Sequence, residues 1–258
     1  MTVSSLWKAL DTANSAKPVG VNEITQVINV NENSSSGNRR QKATLAVDLS
    51  IWICESLTTF GINEQHANPT LHLVFTRTMK LLNLGLGLIF VIEGKQRVNP
   101  PSTTTLTTIG AQSDKFRKRR SGTVFWKACN DCEHLLELLG VPVVRAKSEG
   151  EALCALLCAR GLVDGVISND GDCLLFGATV VYTKYSNENL DSGRIMRYTS
   201  DSLYAVVDPS EETIDSSDER IKFSRHDLIA FAVLTGSDLT GKGIDKVGHI
   251  NSNRENDD

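Results

Sequence analysis

Val163-Asp-Gly-Val-Ile-Ser-Asn-Asp-Gly-Asp-Cys-Leu-Leu-Phe-Gly177 decides the reading of the whole chain. Asp164 to Ile167 is a short apolar run that predicts a buried strand, and Asn169-Asp170 follows it directly. Asp170-Gly-Asp172 then places two carboxylates around a glycine, just before the apolar run Cys173-Leu-Leu-Phe176. Upstream, Glu149 to Arg160 has a helical pattern that Gly161 stops. Before it, Val141-Pro-Val-Val144 predicts another short strand, preceded by a long amphipathic helix from Val124 to Leu139 that Gly140 ends. A strand at 86–92 closes on Glu93-Gly94, and a helix over 69–83 opens at Pro69. Further upstream, Thr44-Leu-Ala-Val-Asp48 predicts a strand ending in an acid, with a helix from Ile51 to Thr59. Downstream come a strand at 178–182, a ribbon near 194–198 and a helix from Arg225 to Leu234. Strands alternating with helices give an α/β fold with a mostly parallel sheet, in which functional groups gather at the carboxyl ends of the strands.

Asp48, Glu93 and Asp170 all sit just past apolar strands, and Glu149-Gly-Glu151 repeats the acid-glycine-acid spacing of Asp170-Gly-Asp172. One such acid serves as readily as a helix cap or a loop charge, and Asp170-Gly-Asp172 alone also reads as a turn with an N-cap. Four acid-bearing segments after successive strands are harder to explain that way. Anions gathered in one cleft raise one another's pKa unless a cation neutralises them. Oxygen donors without His or Cys suit hard ions, Mg²⁺ or Mn²⁺. Two such ions about 4 Å apart clamp a phosphodiester for hydrolysis, one activating water and the other stabilising the leaving oxygen.

Composition bounds the alternatives. The chain has 258 residues, 40% hydrophobic and 22% charged, with a net charge of −4. That balance argues mildly against a nucleic-acid partner until the acids are assigned to a metal site. The six cysteines, Cys54, Cys129, Cys132, Cys154, Cys158 and Cys173, fall in apolar or helical segments. The start, Met1 to Trp7, lacks a basic stretch followed by an apolar one, so reduced intracellular thiols are expected. Cys129-x2-Cys132 and Cys154-x3-Cys158 have zinc half-site spacing, but they lie in helices with no histidine pair to complete a site. The longest apolar run, Leu81 to Ile92, is too short for a bilayer, and no membrane association is expected. Residues 20–41 and 208–220 read as polar loops, the first of them mobile.

The same segments carry a resemblance. Leu45-Ala-Val-Asp-Leu-Ser-Ile-Trp-Ile-Cys-Glu55, Phe90-Val-Ile-Glu-Gly94, Glu149-Gly-Glu-Ala-Leu-Cys-Ala155, Val163 to Gly177 and Leu234-Thr-Gly-Ser-Asp238 resemble, in order and spacing, the motifs of the flap-endonuclease/XPG superfamily of structure-specific 5′ nucleases. Trp52-Ile-Cys-Glu55 is similar to the Holliday-junction-resolving GEN branch. The resemblance implies a PIN-like three-layer α/β/α fold and a two-metal Mg²⁺ site, with Mn²⁺ able to substitute. Its ligands and catalytic acids would be Asp48, Glu93, Glu149, Glu151, Asp170, Asp172 and Asp238. It implies cutting of branched double-stranded DNA, Holliday junctions or 5′ flaps, in repair and recombination, with two copies pairing on a four-way junction.

The resemblance also divides the chain. Residues 1–94 form the N-terminal nuclease region and 124–240 the internal one, joined by a basic arch at 95–123. Lys95, Arg97, Arg117, Arg119 and Arg120 are the arch's candidate phosphate contacts, and the run Lys115 to Arg120 also reads as a nuclear-import signal. Gly241-Lys-Gly-Ile-Asp-Lys-Val-Gly248 resembles the first part of a helix–two-turn–helix element, whose backbone amides at Gly241, Gly243 and Gly248 would reach phosphates. His249 to Asp258 is polar, so a C-terminally truncated member is expected, with weakened DNA binding and activity. Three other readings stay open: a catalytically impaired form that binds nucleic acid or a partner weakly, a 5′-flap endonuclease without junction preference, and a PIN-like ribonuclease. The ribonuclease reading explains the glycines of 241–248 poorly.

Overall fold

The computed structural model describes residues 6–7, 10–11, 16–26, 43–59, 67–94, 122–192, 194–206, 220–222, 224–237, 241–242 and 244. Seven strands form the main sheet. These are β1 (Lys17–Val19), β2 (Thr44–Asp48), β3 (Gly87–Ile92), β4 (Val143–Arg145), β5 (Gly165–Ile167), β6 (Val180–Thr183) and β7 (Ile195–Thr199), in the order β1-β7-β6-β5-β2-β3-β4. The five strands from β4 to β6 run parallel, while β7 and β1 add antiparallel at one edge. The N-terminal and internal regions read from the sequence therefore share one sheet, with β2 lying between β3 and β5.

Side-chain alternation sorts the strands into two faces. Leu45 and Val47 of β2, with Phe90 and Ile92 of β3, point into a core shared with three helices, α2 (Leu49–Thr59), α3 (Pro69–Asn83) and α4 (Thr123–Leu138). Ala46, Val91, Val166 and Val181 point the other way, against α5 (Gly150–Ala159), α6 (Asp172–Leu175) and α8 (Arg225–Thr235). The result is three layers, α/β/α. Each large apolar side chain so buried contributes roughly 1.5–3 kcal/mol.

Local signals fix the helix ends. Asn68 caps α3, its side-chain oxygen accepting the Leu71 N–H at 3.1 Å, with Pro69 in the first turn. Ser224 and Asp227 form a reciprocal capping box at the start of α8, which holds the Asp227 carboxyl below its ordinary value. Gly161, with φ of 66°, takes the left-handed turn that stops α5. Between α2 and α3, the buried Arg77 guanidinium bonds to Glu55 Oε2 at 2.7 Å and lies over the Trp52 ring, 5.2 Å from its centroid.

Several expectations change. Residues 20–41 do not begin as a loop, because α1 (Val21–Gln26) occupies their start and buries Ile24. The edge strand β1 and the helix α7 (Asn187–Ser192) are further elements, and residues 204–206 pair with 220–222 as β8 and β9. Gly236–Ser237 (β10) pairs with Gly241–Lys242 (β11), which places Gly241 opposite Ser237 in a short ladder. Lys95, Arg97, Arg117, Arg119, Arg120, Asp238, Gly243 and Gly248 lie outside the described residues. No described helix is long and apolar enough to cross a membrane.

Candidate active site

Chain order builds the site at one place in the sheet. From β2 the chain moves outward through β3 to β4, then returns to the other side of β2 for β5. A crevice opens past the carboxyl ends of the strands at such a reversal. Asp48 is the last residue of β2, Glu93 follows β3, and Asp170 follows β5 by three residues. Glu149 and Glu151 sit at the start of α5, and Asp172 begins α6.

The carboxylates converge. One oxygen each from Glu93, Glu149 and Glu151 can be chosen so that all three lie within 4.8 Å of one another. The Gly150 α-carbon faces Asp48 and Glu93, and a methyl group added there would stand 3.6 Å from Asp48 Oδ1 and 3.7 Å from the Glu93 nitrogen. Asp170 Oδ1 accepts the Asp172 N–H at 3.1 Å, joining those two acids. Asp48, Glu151 and Asp170 all bear on one buried thiol, Cys173, whose pKa lies well above its ordinary value because of burial first and then of Cys154 and these acids. Asp48, Glu93, Glu151, Asp170 and Asp172 are buried, and Glu149 is half-buried. Six of the seven predicted acids thus stand at one carboxyl edge of the sheet, three of them with converging oxygens, and Asp238 lies outside the described residues.

Buried serines aim the acids, and sequence reading overlooked them. Ser50 donates its N–H to Asp48 Oδ1 at 3.0 Å, while its hydroxyl oxygen accepts the Glu93 N–H at 3.2 Å. Ser168 Oγ accepts the Asp170 N–H at 3.1 Å. A small hydroxyl residue two positions from a strand-end aspartate was the available signal, since serine side chains bond readily to backbone two residues away. Gly94 closes the same corner. Its N–H donates to the Ser148 carbonyl at 2.7 Å, and a β-carbon there would fall 2.3 Å from Lys147.

Three oxygen donors at this spacing, one just past β3 and two at the start of α5, fit a hard divalent cation. The cysteines do not compete for it. Cys129 and Cys132 face the core from α4, each pushed up to about 12 mainly by burial, and behave as apolar filler.

The XPG I-region profile matches residues 140–238, the stretch that supplies Glu149, Glu151, Asp170 and Asp172. The chain carries an XPG I-region and is similar to the flap endonucleases of the XPG superfamily. It is 32% identical over 234 residues to human flap endonuclease GEN homolog 1, a match covering 89% of this chain and 24% of that protein. The structure of human GEN1 in complex with Holliday junction DNA has a TM-score of 0.68 and 30% identity, covering 95% of this chain and 53% of that one. The Holliday junction-resolving enzyme GEN1 in complex with product DNA and an Mg²⁺ ion shares the fold, with a TM-score of 0.60 and 21% identity over 93% of this chain and 47% of that one. This chain spans about a quarter of the length of the human relative. The PIN-like superfamily fold expected from the sequence is the one observed.

Proposed function

We propose that this protein is an Mg²⁺-dependent, structure-specific endonuclease that cuts branched DNA, at 5′ flaps and four-way junctions, in repair and recombination. The observation that carries the reading is the convergence of the Glu93, Glu149 and Glu151 oxygens within 4.8 Å at the carboxyl ends of the strands. Glu93, Glu149 and Glu151 would hold one divalent ion, and Asp48, Asp170, Asp172 and Asp238 would complete a second position. Mn²⁺ would satisfy the same oxygens. The bound ions supply a water of lowered pKa and charge stabilisation at the leaving oxygen.

The chain's own residues do the positioning. Ser50 and Ser168 fix the backbones that carry Glu93 and Asp170, so the carboxylates meet without rearrangement. The scissile phosphate lies over the acids, in-line attack opens its bond to the 3′-oxygen, and the products carry a 5′-phosphate and a 3′-hydroxyl. Duplex phosphates are held by Lys95, Arg97, Arg117, Arg119 and Arg120 and by the amides of Gly241, Gly243 and Gly248. Two copies meet on a symmetric four-way junction, and the basic run at 115–120 directs the protein to the nucleus.

Incubation with labelled 5′-flap and four-way-junction DNA, in Mg²⁺ and in EDTA, tests this reading beside Asp170→Asn. Metal-dependent cutting that disappears in the variant supports it. A folded chain that binds these DNAs without cutting them leaves a nucleic-acid-binding protein and removes the nuclease.

A further inference from the structure

Lys184 follows the last residue of β6, at the same carboxyl edge of the sheet as the acids. Its φ is 55°, and among the described residues it is the one non-glycine with positive φ. Lysine is poorly suited to that conformation, since its β-carbon crowds the following carbonyl. The surroundings impose it. The Lys184 N–H donates to Asn169 Oδ1 at 2.8 Å, and Asn169 directly precedes Asp170. The Lys184 carbonyl accepts from Asn189 Nδ2 at 2.7 Å. Thr183 and Tyr185 are buried on either side, and the Tyr185 ring stacks on Trp52 with centroids 5.4 Å apart. A strained backbone over-determined by its neighbours is a recurrent feature of ligand-binding positions.

What this anchoring presents to solvent is a single ammonium. The Lys184 side chain is 55% exposed, and its Nζ lies 3.7 Å from Asp11 Oδ2. Asp11 is also bound from its other oxygen, which accepts the Tyr198 hydroxyl proton at 2.5 Å. An exposed ion pair of that length is weak and easily exchanged for a stronger anion. Neighbouring strands lie about 4.8 Å apart, so the end of β6 is one strand away from the Asp170 loop after β5. A polyanion approaching the clustered acids meets repulsion, and a cation carried at the same edge of the sheet offsets part of it.

We propose that Lys184 is a substrate-binding residue whose ammonium contacts a backbone phosphate of the DNA strand lying in the acidic cleft, with the Asn169–Lys184 bond setting its place. The proposal rests on the endonuclease reading and names a contact within that site. Such a contact is blind to sequence and fixes the register of the strand over the acids.

The test is fluorescence anisotropy of a labelled 5′-flap DNA in Ca²⁺ over a range of salt, with thermal unfolding of each variant and steady-state cleavage in Mg²⁺. Lys184→Gln is expected to weaken binding about fivefold and to lower the slope of log affinity against log salt by about 0.9. Lys184→Arg retains both. Lys184→Gly loses the same affinity while its melting temperature holds or rises, because glycine takes the left-handed conformation freely. In cleavage, KM rises with kcat retained. Parent affinity and slope in Lys184→Gln and Lys184→Gly would overturn the contact and leave the nuclease standing. Weaker binding with a lower melting temperature in Lys184→Gly, unrestored by arginine, would make the residue structural and also overturn it. Failure of the parent chain to bind DNA would remove both the contact and the endonuclease reading.

Discussion

The Ser50 hydroxyl oxygen accepts the Glu93 N–H at 3.2 Å, so one side chain ties the end of β2 to the end of β3. The Ser50 N–H meanwhile holds Asp48 Oδ1 at 3.0 Å. Ser50 is therefore expected to matter out of proportion to its size. Ser50→Ala leaves the buried Glu93 N–H without that acceptor and should cost about 1–3 kcal/mol in urea unfolding. Because it supports two of the acids proposed to ligate Mg²⁺, Mg²⁺ affinity should fall at least tenfold in a calorimetric titration. Unchanged metal affinity in a folded variant would show that the serine acts on stability alone.

Gly94 makes a second prediction. The added methyl of Gly94→Ala meets Lys147 backbone atoms at 2.3 Å and the Ala146 carbonyl oxygen at 2.4 Å. Backbone cannot swing aside as a side chain can, so β3 and the segment leading to Glu149 must separate. The expected loss is about 1–3 kcal/mol of stability. Cleavage should fall further than stability explains, since Glu93 moves with its neighbour. Gly150→Ala is the contrasting case, because its methyl has ordinary contact distances to Asp48 and Glu93.

Removing a charge and adding a metal should act in opposite senses. Glu151 is buried among like-charged neighbours. In EDTA, Glu151→Gln relieves that repulsion and should raise the melting temperature. In the parent chain, Mg²⁺ at a hundredfold excess over its Kd should add about 2.7 kcal/mol of stability. Glu151→Gln should lose most of that gain. A variant that responds to Mg²⁺ as the parent does would take Glu151 out of the metal site.

The buried thiols set an alkaline limit. Cys129 and Cys132 ionise at 9.0 when exposed and at about 12 in the folded chain, raised chiefly by burial. Between those values the unfolded chain releases protons that the folded chain keeps. The stability present below pH 9 is therefore lost as pH rises toward 12, at about 1.4 kcal/mol per pH unit for each thiol. Urea midpoints compared at pH 8 and pH 10 should show this fall. The double variant Cys129→Ala, Cys132→Ala should start lower, having lost packing, and fall less steeply.

The sequence by itself determined the type of the longer elements and named the candidate acids. Strand periodicity, Pro69 and Gly161 are local signals, and local signals suffice to start and stop elements. Asp48, Glu93 and Asp170 were legible because each stands at the end of an apolar run, where a charge has no role in the core. Only the tertiary structure decided which acids meet. That depends on β5 crossing back beside β2, so that residues more than a hundred positions apart share an edge. The Ser50–Glu93 and Asn169–Lys184 bonds escaped sequence reading for the same reason. Each joins neighbouring strand ends or the turns beyond them, and such a bond leaves no periodic trace in either segment. Ser168 bonds locally to the Asp170 N–H two residues on, and only its burial in the structure marks it. The short edge strand β1 and the helix at 21–26 were hidden as well, because three to six residues are too few to show a period and only packing against β7 and the core stabilises them.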